Sequence, residues 1–309
     1  MPLLGEKRTV SHLCNHLISL YHWRYYMKFS FMPLNLPAWS SQGIEFNKMF
    51  DKAKSAGFSA YDASENDLRF ASHREVCRLC EDAGLEIADY IHWMHVTTPD
   101  NVKFREAVDG AKAAVHTALE HGTNRLMIVE NIFHEDLAAM SRADAMNKLV
   151  DAFSEIVGYA ALYGVTVMFE DFPSPALPLC TSSECGELLR SVPGLKLVFD
   201  TANMLVLDDD PVEFYTKLRQ YVAHVHLKDV VYTTSPDPSL TGGRKKMISR
   251  TLHGQGIVDF MTLFKLLRAD NYDGFATVEY SPSENGINHF KLLAQSIHYF
   301  DNLQNGRCS

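Results

Sequence analysis

The stretch Val165-Thr-Val-Met-Phe-Glu-Asp171 is an apolar run that ends in carboxylates, and the same pattern recurs along the chain. Three later segments repeat it: Leu197-Val-Phe-Asp200, Val222-Ala-His-Val-His226 and Phe275-Ala-Thr-Val-Glu279. Each segment predicts a short buried strand that ends at a residue able to bind a metal. These ligand residues are Glu170, Asp200, His226 and Glu279. The C-terminal strand ends of a parallel barrel all open onto one face, so we expect the four side chains to converge there.

The rest of the chain alternates short apolar runs with longer segments of helical period. The predicted strands are 27–33, 58–62, 85–91, 125–130, 165–170, 197–200, 222–227 and 275–279. The predicted helices are near 42–56, 71–83, 101–121, 141–163, 182–191, 210–219, 258–268 and 286–303. Alternating units of this kind predict a parallel sheet covered by helices, and eight of them favour a closed (β/α)8 TIM barrel over an open sheet.

We expect this α/β barrel to form one domain over residues 27–303. Residues 1–26 match no barrel element and are predicted to be an N-terminal extension, and residues 304–309 a C-terminal tail. The segment from Asp229 to Gln255 contains clusters of Thr, Ser, Pro and Gly and is predicted to be irregular. A loop of that length usually covers a site, so we expect a lid or a substrate-contacting loop.

Composition excludes several classes of protein. The 309 residues carry a formal charge of -9 with a pI near 5.8, which argues against nucleic acid as a partner and favours a small polar substrate. Runs of 18 apolar residues are absent from the sequence, so we expect no membrane span, and the first 26 residues lack the apolar centre of a secretion signal. We therefore predict a cytoplasmic protein, in which Cys77 and Cys80 are reduced thiols.

The four predicted ligand residues indicate which metal ions could bind and what reaction such an ion could support. Carboxylates with one imidazole suit Mn²⁺, Mg²⁺ or Co²⁺ and, less well, Zn²⁺. A divalent ion that binds a carbonyl and a neighbouring hydroxyl stabilises an enediolate and makes the adjacent C–H acidic. Glu170 and Glu279 could then act as acid and base in isomerisation or epimerisation. If a leaving group occupies the next carbon, the same enediolate eliminates it.

The motifs resemble those of the xylose isomerase-like TIM barrels, and more narrowly the sugar phosphate isomerase/epimerase group within the AP endonuclease family 2 superfamily. They are Phe-Glu-Asp at 169–171, Phe-Asp-Thr-Ala-Asn at 199–203, His-Val-His-Leu-Lys-Asp at 224–229, Gly-Gln-Gly-Ile-Val-Asp-Phe at 254–260 and Val-Glu-Tyr at 278–280. The resemblance implies that Glu170, Asp200, His226 and Glu279 bind a divalent metal, often Mn²⁺. It also implies that the two glutamates carry out the proton transfers.

Two differences from members of this family limit the substrates that the resemblance suggests. Endonuclease IV, a three-zinc DNA repair enzyme of the same fold, carries His where this chain has Asn203, and it needs further histidines. DNA cleavage is therefore not expected from this acidic chain. The 229–255 segment also differs from the short arginine-bearing turn of the ketose 3-epimerases, which argues against a free ketohexose as substrate.

Six further residues are predicted to contact substrate because they lie near strand ends or in the long loop. They are His92, Glu130, Asn203, Lys228, Arg250 and His253. His224 shares the inward parity of His226 but lies deeper, where we expect a neutral, hydrogen-bonded core histidine. Trp39 and Trp93, near the first and third strands, are candidates for an apolar wall against a sugar face, with core packing as the alternative.

Three functions compete. The first is a metal-dependent isomerase or epimerase that acts on a keto sugar or a related polyol. The second is a lyase that uses the same enolisation, either an inosose-type dehydratase or an enzyme that eliminates from a 3-keto-glycoside, which some relatives do with a small partner subunit. The third is a non-catalytic sugar-binding or scaffold barrel. Phosphorylated substrates and a homo-oligomer both remain open.

Overall fold

A computed structural model of the chain describes residues 27–33, 36–41, 43–234, 248–279 and 289–307, so the predicted extension at 1–26 lies outside the described residues. The strands within these ranges are β1 Lys28–Phe31, β2 Ala60–Ser64, β3 Glu86–Met94, β4 Arg125–Glu130, β5 Thr166–Glu170, β6 Lys196–Asp200, β7 Val222–Leu227, β8 Asp229–Tyr232, β9 Ile248–Thr251 and β10 Phe275–Val278. Eight parallel strands close a barrel in the order β1, β10, β7, β6, β5, β4, β3, β2. The predicted (β/α)8 barrel is confirmed.

The helices lie between the strands and cover the outside of the barrel. Their bounds are α1 Leu36–Ser41, α2 Phe46–Ala56, α3 His73–Ala83, α4 Asn101–Glu120, α5 His134–Ala138, α6 Arg142–Ala161, α7 Ser182–Ser191, α8 Pro211–Leu218, α9 Phe260–Ala269 and α10 His289–Gln304. Short 3₁₀ helices occupy Glu65–Arg69, Asn203–Leu207 and Arg219–Tyr221. None of the described helices has both the length and the apolar character needed to cross a membrane.

Local sequence explains where these helices begin and end. The side chains of Asp100 and Asp210 accept hydrogen bonds from first-turn backbone N–H groups of α4 and α8. Gly57 and Gly84 end α2 and α3 in the left-handed region, with φ of 104° and 67°, which glycine adopts without strain. The capping box of α7 begins at Thr181, whose side chain accepts from Glu184 N.

The predicted irregular segment at 229–255 contains regular structure at both ends. β8 and β9 pair as an antiparallel ribbon in which Val230 is opposite Arg250. Residues 235–247 between them lie outside the described residues. The prediction of an irregular loop is therefore wrong for 229–232 and 248–251, where the β-branched residues Val230 and Ile248 are buried and favour strand pairing. The short helices α1 and α5 were also not predicted, because each is only one to two turns long.

One carboxylate fastens the base of the ribbon. Asp229 Oδ2 accepts hydrogen bonds from Gly254 N and Gly256 N, both at 2.9 Å, and Oδ1 accepts from Val258 N at 3.3 Å. Ile257 N also donates to Val230 O at 2.9 Å. A Cβ on Gly256 would collide with the Asp229 carboxylate and the Val230 carbonyl oxygen, so only glycine fits at this turn.

Gly256→Ala is expected to lower the free energy of unfolding by about 1–3 kcal/mol, because the added methyl forces the turn away from Asp229. Urea unfolding followed by circular dichroism measures the change. Gly158→Ala is the matched control: a Cβ there meets no atom within 4 Å, and alanine favours the interior of α6. Equal stability of the two variants would contradict the steric role of the turn.

The barrel interior is polar beneath an apolar layer. Thr277 Oγ1 donates to Asp62 Oδ2 at 2.6 Å and lies 2.9 Å from Ser30 Oγ and 2.6 Å from His224 Nε2. All four side chains are fully buried. Burial lowers the pKa of His224 well below its usual value, which agrees with the expectation of a neutral core histidine.

Candidate active site

The four predicted ligands lie at the ends of four neighbouring strands. Glu170 ends β5, Asp200 ends β6, and His226 is the penultimate residue of β7, directly paired with Asp200. Glu279 follows β10, and its backbone N–H donates to Leu227 O at 2.9 Å. Because β5, β6, β7 and β10 are consecutive in the barrel, one ligand atom from each side chain lies within 4.8 Å of the others.

This cluster has the size and the donors of a divalent-metal site. Atoms bound to one ion at about 2.0–2.2 Å lie at most about 4.4 Å apart, so small side-chain rotations bring these donors into range. His226 Nδ1 lies 2.8 Å from Glu170 Oε1 and 3.9 Å from Glu279 Oε2, so the imidazole faces the carboxylates. Three carboxylates this close repel one another, and a cation between them relieves that repulsion. The residues present therefore fit a divalent ion with mostly oxygen ligands.

Lys228 neutralises part of the carboxylate charge. Its Nζ lies 3.0 Å from Asp200 Oδ2 and 3.0 Å from Glu279 Oε2, and it donates to Asn203 Oδ1 at 2.8 Å. The side chain is only 3% exposed. Lys228 is therefore buried in the cluster, where it pairs with two of the four predicted ligands.

Burial and mutual attraction set the protonation of the cluster. Burial raises the pKa of Asp200 to about 6, although Lys228 opposes the shift. Burial would also raise the pKa of Glu279, but the attraction of the positive charges on Lys228 and Arg250 lowers it to about 2. Burial would lower the pKa of His226, but the charge of Glu170 and its hydrogen bond raise it to about 10. Without a metal, Glu279 is thus ionised and His226 protonated at neutral pH, so metal binding must displace a proton.

One supporting residue was not predicted. Asp171 is fully buried, and its Oδ1 accepts from Asp200 N at 2.9 Å. Asn203 Nδ2 donates to the Asp171 carbonyl oxygen at 2.7 Å. Asp171 therefore positions both Asp200 and Asn203. The only sequence signal was a second carboxylate directly after Glu170, which strand alternation turns away from the cluster.

A cavity of about 200 Å³ opens beside the cluster. Its polar wall is formed by Glu170, Asn203, Lys228, Arg250 and Glu279. Its apolar wall is formed by Met32, Pro33, Ile91, Trp93, Met127, Val129, Phe172 and Pro173. Of the two tryptophans predicted to form an apolar wall, Trp93 lines the cavity, whereas Trp39 is fully buried in the core against Phe31 and Phe290. The cavity thus joins the predicted ligands to an apolar surface.

Three of the six predicted substrate residues line this cavity: Asn203, Lys228 and Arg250. Arg250 comes from β9 of the ribbon, and its Nη2 lies 3.6 Å from Glu279 Oε1. The ribbon therefore places a guanidinium group at the rim of the site. Contact of these residues with substrate stays a prediction.

His92 and Glu130 face away from the cavity, which corrects their predicted role. Ile91 and Trp93 on β3 line the cavity, so alternation points His92 outward, where its Nδ1 lies 3.0 Å from Glu65 Oε2. Glu130 follows the cavity residue Val129 on β4 and likewise points outward. Its Oε1 accepts from the backbone N–H groups of residues 96 and 97, both at 2.9 Å.

His253 is also not a cavity residue. It lies in the turn after β9, is 4% exposed, and has both ring nitrogens engaged inside the protein. Its Nδ1 lies 2.8 Å from Ser296 Oγ and its Nε2 lies 2.7 Å from Leu227 O. Burial lowers its pKa to about 4. His253 joins the turn to α10 and β7 rather than reaching substrate.

Glu130→Gln tests the structural role of Glu130. Because the Glu130 carboxylate accepts hydrogen bonds from three buried donors, Val96 N, Thr97 N and Thr97 Oγ1, replacing it with an amide is expected to lower the free energy of unfolding by about 1.5–3 kcal/mol. Thermal and urea unfolding measure the change. Glu86→Gln is the control, since Glu86 is 54% exposed and its ion pair with Lys28 contributes about 1 kcal/mol or less. Normal stability combined with lost activity would point instead to a role in substrate binding.

The fold and the site together define a parallel (β/α)8 barrel with a carboxylate–imidazole cluster at the C-terminal ends of its strands. The chain belongs to the xylose isomerase-like TIM barrel family, whose model matches residues 50–303. The resemblance inferred from the motifs is thus confirmed.

Three relatives show the range of this fold. The inosose dehydratase of Lacticaseibacillus casei is 21% identical over 212 residues, which is 66% of this chain and 70% of that protein. The IolI protein, solved with a bound zinc atom, has a TM-score of 0.72 and 15% identity and covers 92% of this chain and 100% of its own. The 3-keto-D-glucoside 4-epimerase YcjR of E. coli has a TM-score of 0.67 and 16% identity, with 90% and 100% coverage. The dehydratase and the epimerase are enzymes, and the zinc atom shows that a barrel of this fold holds a divalent metal.

Proposed function

We propose that this protein is a divalent-metal-dependent lyase that removes water from a polyhydroxylated ketone, by proton abstraction next to the carbonyl. The observation that carries the proposal is the convergence of Glu170, Asp200, His226 and Glu279, two of whose carboxylates also line the cavity. The similarity to inosose dehydratase favours elimination over the other outcomes of enolisation.

The protein's own residues supply the proton transfers. Glu279 is held ionised by Lys228, so it can accept the proton from the carbon next to the carbonyl. The electron pair of that C–H bond forms the enediolate. Glu170 also lines the cavity, and in its protonated form it would deliver its proton to the leaving hydroxyl at the following carbon; the proton that Glu279 has taken up then returns to Glu170 to restore the starting state. One C–H and one C–O bond break, a C=C bond forms, and water leaves.

A divalent ion held by the four ligands would polarise the carbonyl and stabilise the developing negative charge. We infer Mn²⁺ as the ion, because three carboxylates and a single imidazole form an oxygen-rich donor set. The apolar wall around Trp93 and Met127 excludes water from the carbon skeleton, which strengthens the electrostatic interactions at the polar wall.

The test is solvent exchange in D₂O followed by NMR. Metal-stripped protein would be incubated with an inosose, a ketose and a 3-keto-glycoside, with and without Mn²⁺. We expect Mn²⁺-dependent deuterium incorporation next to the carbonyl, together with a dehydrated product from the inosose. Metal binding without exchange on any of the three ketones would contradict the enolisation mechanism. Neither exchange nor metal binding would favour the non-catalytic barrel.

Epimerisation is the second candidate, and one observation favours it. Glu170 ends β5, Glu279 follows β10, and both line the cavity, so one could remove a proton and the other return it to the opposite face. Deuterium incorporation with inverted configuration and no loss of water would select this outcome. The same NMR spectra therefore separate the lyase from the epimerase.

A further inference from the structure

We propose that the barrel interior contains a second metal site, which binds Zn²⁺ beneath the active-site cluster. Its ligands are Asp62, Asp89, His224 and the inner ring nitrogen of His226. This inner site shares only His226 with the cluster above it. The inference does not depend on the reaction proposed above, because it concerns buried residues that do not line the active-site cavity.

Three strands bring the four side chains of the inner site together. Asp62 on β2 and Asp89 on β3 are directly paired, and His224 precedes His226 by two residues on β7. Asp62, His224 and His226 each offer one ligand atom within 4.8 Å of the others. His224 Nδ1 also lies 3.6 Å from Asp89 Oδ2. All four side chains are fully buried, so one ion could contact each of them after small side-chain rotations.

The inner site contains polar atoms that lack the partners buried groups normally have. Within the part of the chain that the structure describes, five of its atoms form no hydrogen bond: Asp62 Oδ1, both carboxylate oxygens of Asp89, His224 Nδ1 and His226 Nε2. Buried polar groups are nearly always hydrogen-bonded, and buried charges are paired or bind metals. Arg125 attracts Asp89, but no ion pair joins the two among the described contacts, and Arg125 Nη1 donates to Ala88 O at 3.5 Å. A cation between the carboxylates would give these atoms a partner.

Thr277 orients two of the ligands through their other polar atoms. Its hydroxyl donates its one proton to Asp62 Oδ2 at 2.6 Å, so its oxygen accepts from His224 Nε2, also at 2.6 Å. His224 therefore carries its proton on Nε2 and a lone pair on Nδ1. Metal-binding side chains usually form such a hydrogen bond with the atom that does not bind the ion. The atoms left for an ion, Asp62 Oδ1 and His224 Nδ1, are two of the five without a partner.

His226 has one ring nitrogen directed at each site. Its Nδ1 lies 2.8 Å from Glu170 Oε1 in the outer cluster, whereas its Nε2 is another of the atoms without a partner. A neutral imidazole that keeps its proton on Nδ1 offers the lone pair of Nε2 to the inner ion. When a second ion occupies the outer cluster, the ring bridges the two ions and releases that proton as well.

The donors of the inner site suit zinc. Two imidazoles and two carboxylates fit a tetrahedral Zn²⁺, whereas the outer cluster has three carboxylates and one imidazole. The two carboxylates balance the two charges of the ion, which lowers the cost of burying it. Four protein ligands leave no open position, so the inner ion is structural and joins β2, β3 and β7 inside the barrel.

Counting zinc ions tests the proposal without relying on turnover. Protein produced in zinc-supplemented medium would be incubated with excess zinc, desalted and analysed by mass spectrometry. We expect about two zinc ions per chain in the wild type, one in each site. Asp89→Asn and His224→Gln should each retain about one, in the outer cluster. The outer double variant, Glu170→Gln with Asp200→Asn, should retain about one in the inner site.

Asp67→Asn is the matched control. Asp67 is also a fully buried carboxylate beside β2, but its oxygens accept hydrogen bonds from Tyr61 Oη and Ser64 N, so this variant should keep the wild-type zinc count. Circular dichroism establishes that each variant is folded. X-ray absorption on the outer double variant identifies the ligands directly, even if the inner variants do not fold. We expect about two imidazoles per zinc, with Zn–N distances of about 2.0–2.1 Å.

Three results would overturn the proposal. The first is a single zinc ion or none per wild-type chain, which would leave the five atoms to buried water or to protons. The second is a second zinc ion that persists in both Asp89→Asn and His224→Gln. The third is an outer double variant that binds no zinc, or binds zinc through fewer than two imidazoles. Deuterium exchange on the ketones is measured separately, so its failure would remove the lyase and leave the inner site standing.

Discussion

Glu279→Gln is expected to reduce Mn²⁺-dependent proton exchange by about 100-fold to 10,000-fold, the usual contribution of a positioned general base. The amide keeps the volume of the side chain but cannot accept a proton. Glu279 is the candidate for this role because it lines the cavity and Lys228, 3.0 Å away, keeps it ionised and therefore able to accept a proton. NMR in D₂O with an inosose measures the rate.

Two controls separate loss of the base from loss of the metal. Exchange is compared at saturating Mn²⁺, with occupancy confirmed by metal analysis, because Glu279 also belongs to the ligand set. Glu65→Gln is the matched control: Glu65 pairs with His92 outside the cavity, so exchange should be unchanged. Undiminished exchange in Glu279→Gln at full occupancy would exclude Glu279 as the base.

Lys228→Met is expected to have the largest effect on stability, about 3–5 kcal/mol in metal-free protein, because it leaves buried carboxylates without their cation. The same change should tighten Mn²⁺ binding, since it removes a positive charge beside the ligands Asp200 and Glu279. Stability and metal affinity are thus expected to change in opposite directions. Urea unfolding with EDTA or with Mn²⁺ measures the first, and calorimetry the second.

Lys112→Met provides the comparison. Lys112 pairs with Glu155 on the helical surface, so its loss should cost about 1 kcal/mol or less and should not respond to Mn²⁺. If Lys228→Met were as stable as this control without metal, the buried ion pairs would not be stabilising the cluster. If it bound Mn²⁺ more weakly than the wild type, Lys228 would be supporting the ligands rather than competing with the ion.

The position of the four predicted ligands could be deduced because, in each strand, the residues that point into the barrel can be read from the sequence. Glu170 lies two residues after the buried Met168, and Asp200 two residues after Val198. In the same way Glu279 lies two residues after Thr277. Strand alternation places each pair on the same side of the sheet, and parallel pairing places the second member at one end of the barrel.

Strand alternation also explains why two of the predicted substrate residues, Glu130 and His92, do not line the cavity. Glu130 ends its strand as Glu170 does, but it follows the inward Val129 directly and so points outward. His92 sits between the inward residues Ile91 and Trp93 in the same way. The role of His253 could not be predicted, because it depends on Ser296 and Leu227, which are distant in sequence.

The ribbon was missed for a different reason. Its two four-residue strands are too short to stand out from a long polar loop, and their pairing depends on the Asp229 contacts with the turn at Gly254 and Gly256. The donors in that turn are backbone N–H groups, and the order of residue types in the sequence does not indicate which backbone groups form hydrogen bonds. Arg250 was named as a candidate, but only the fold shows that it reaches the cavity.

The four ligands come from one half of the barrel, on β5, β6, β7 and β10, whereas β1, β3 and β4 contribute only apolar side chains to the cavity. The residues of the proposed reaction therefore come from one set of strands, and most of the apolar residues that shape the cavity from another. During evolution, replacements such as those at Met32, Ile91 or Met127 could remodel the cavity without disturbing any ligand. A barrel built in this way could change its substrate on one side while it keeps the proposed proton-transfer residues on the other.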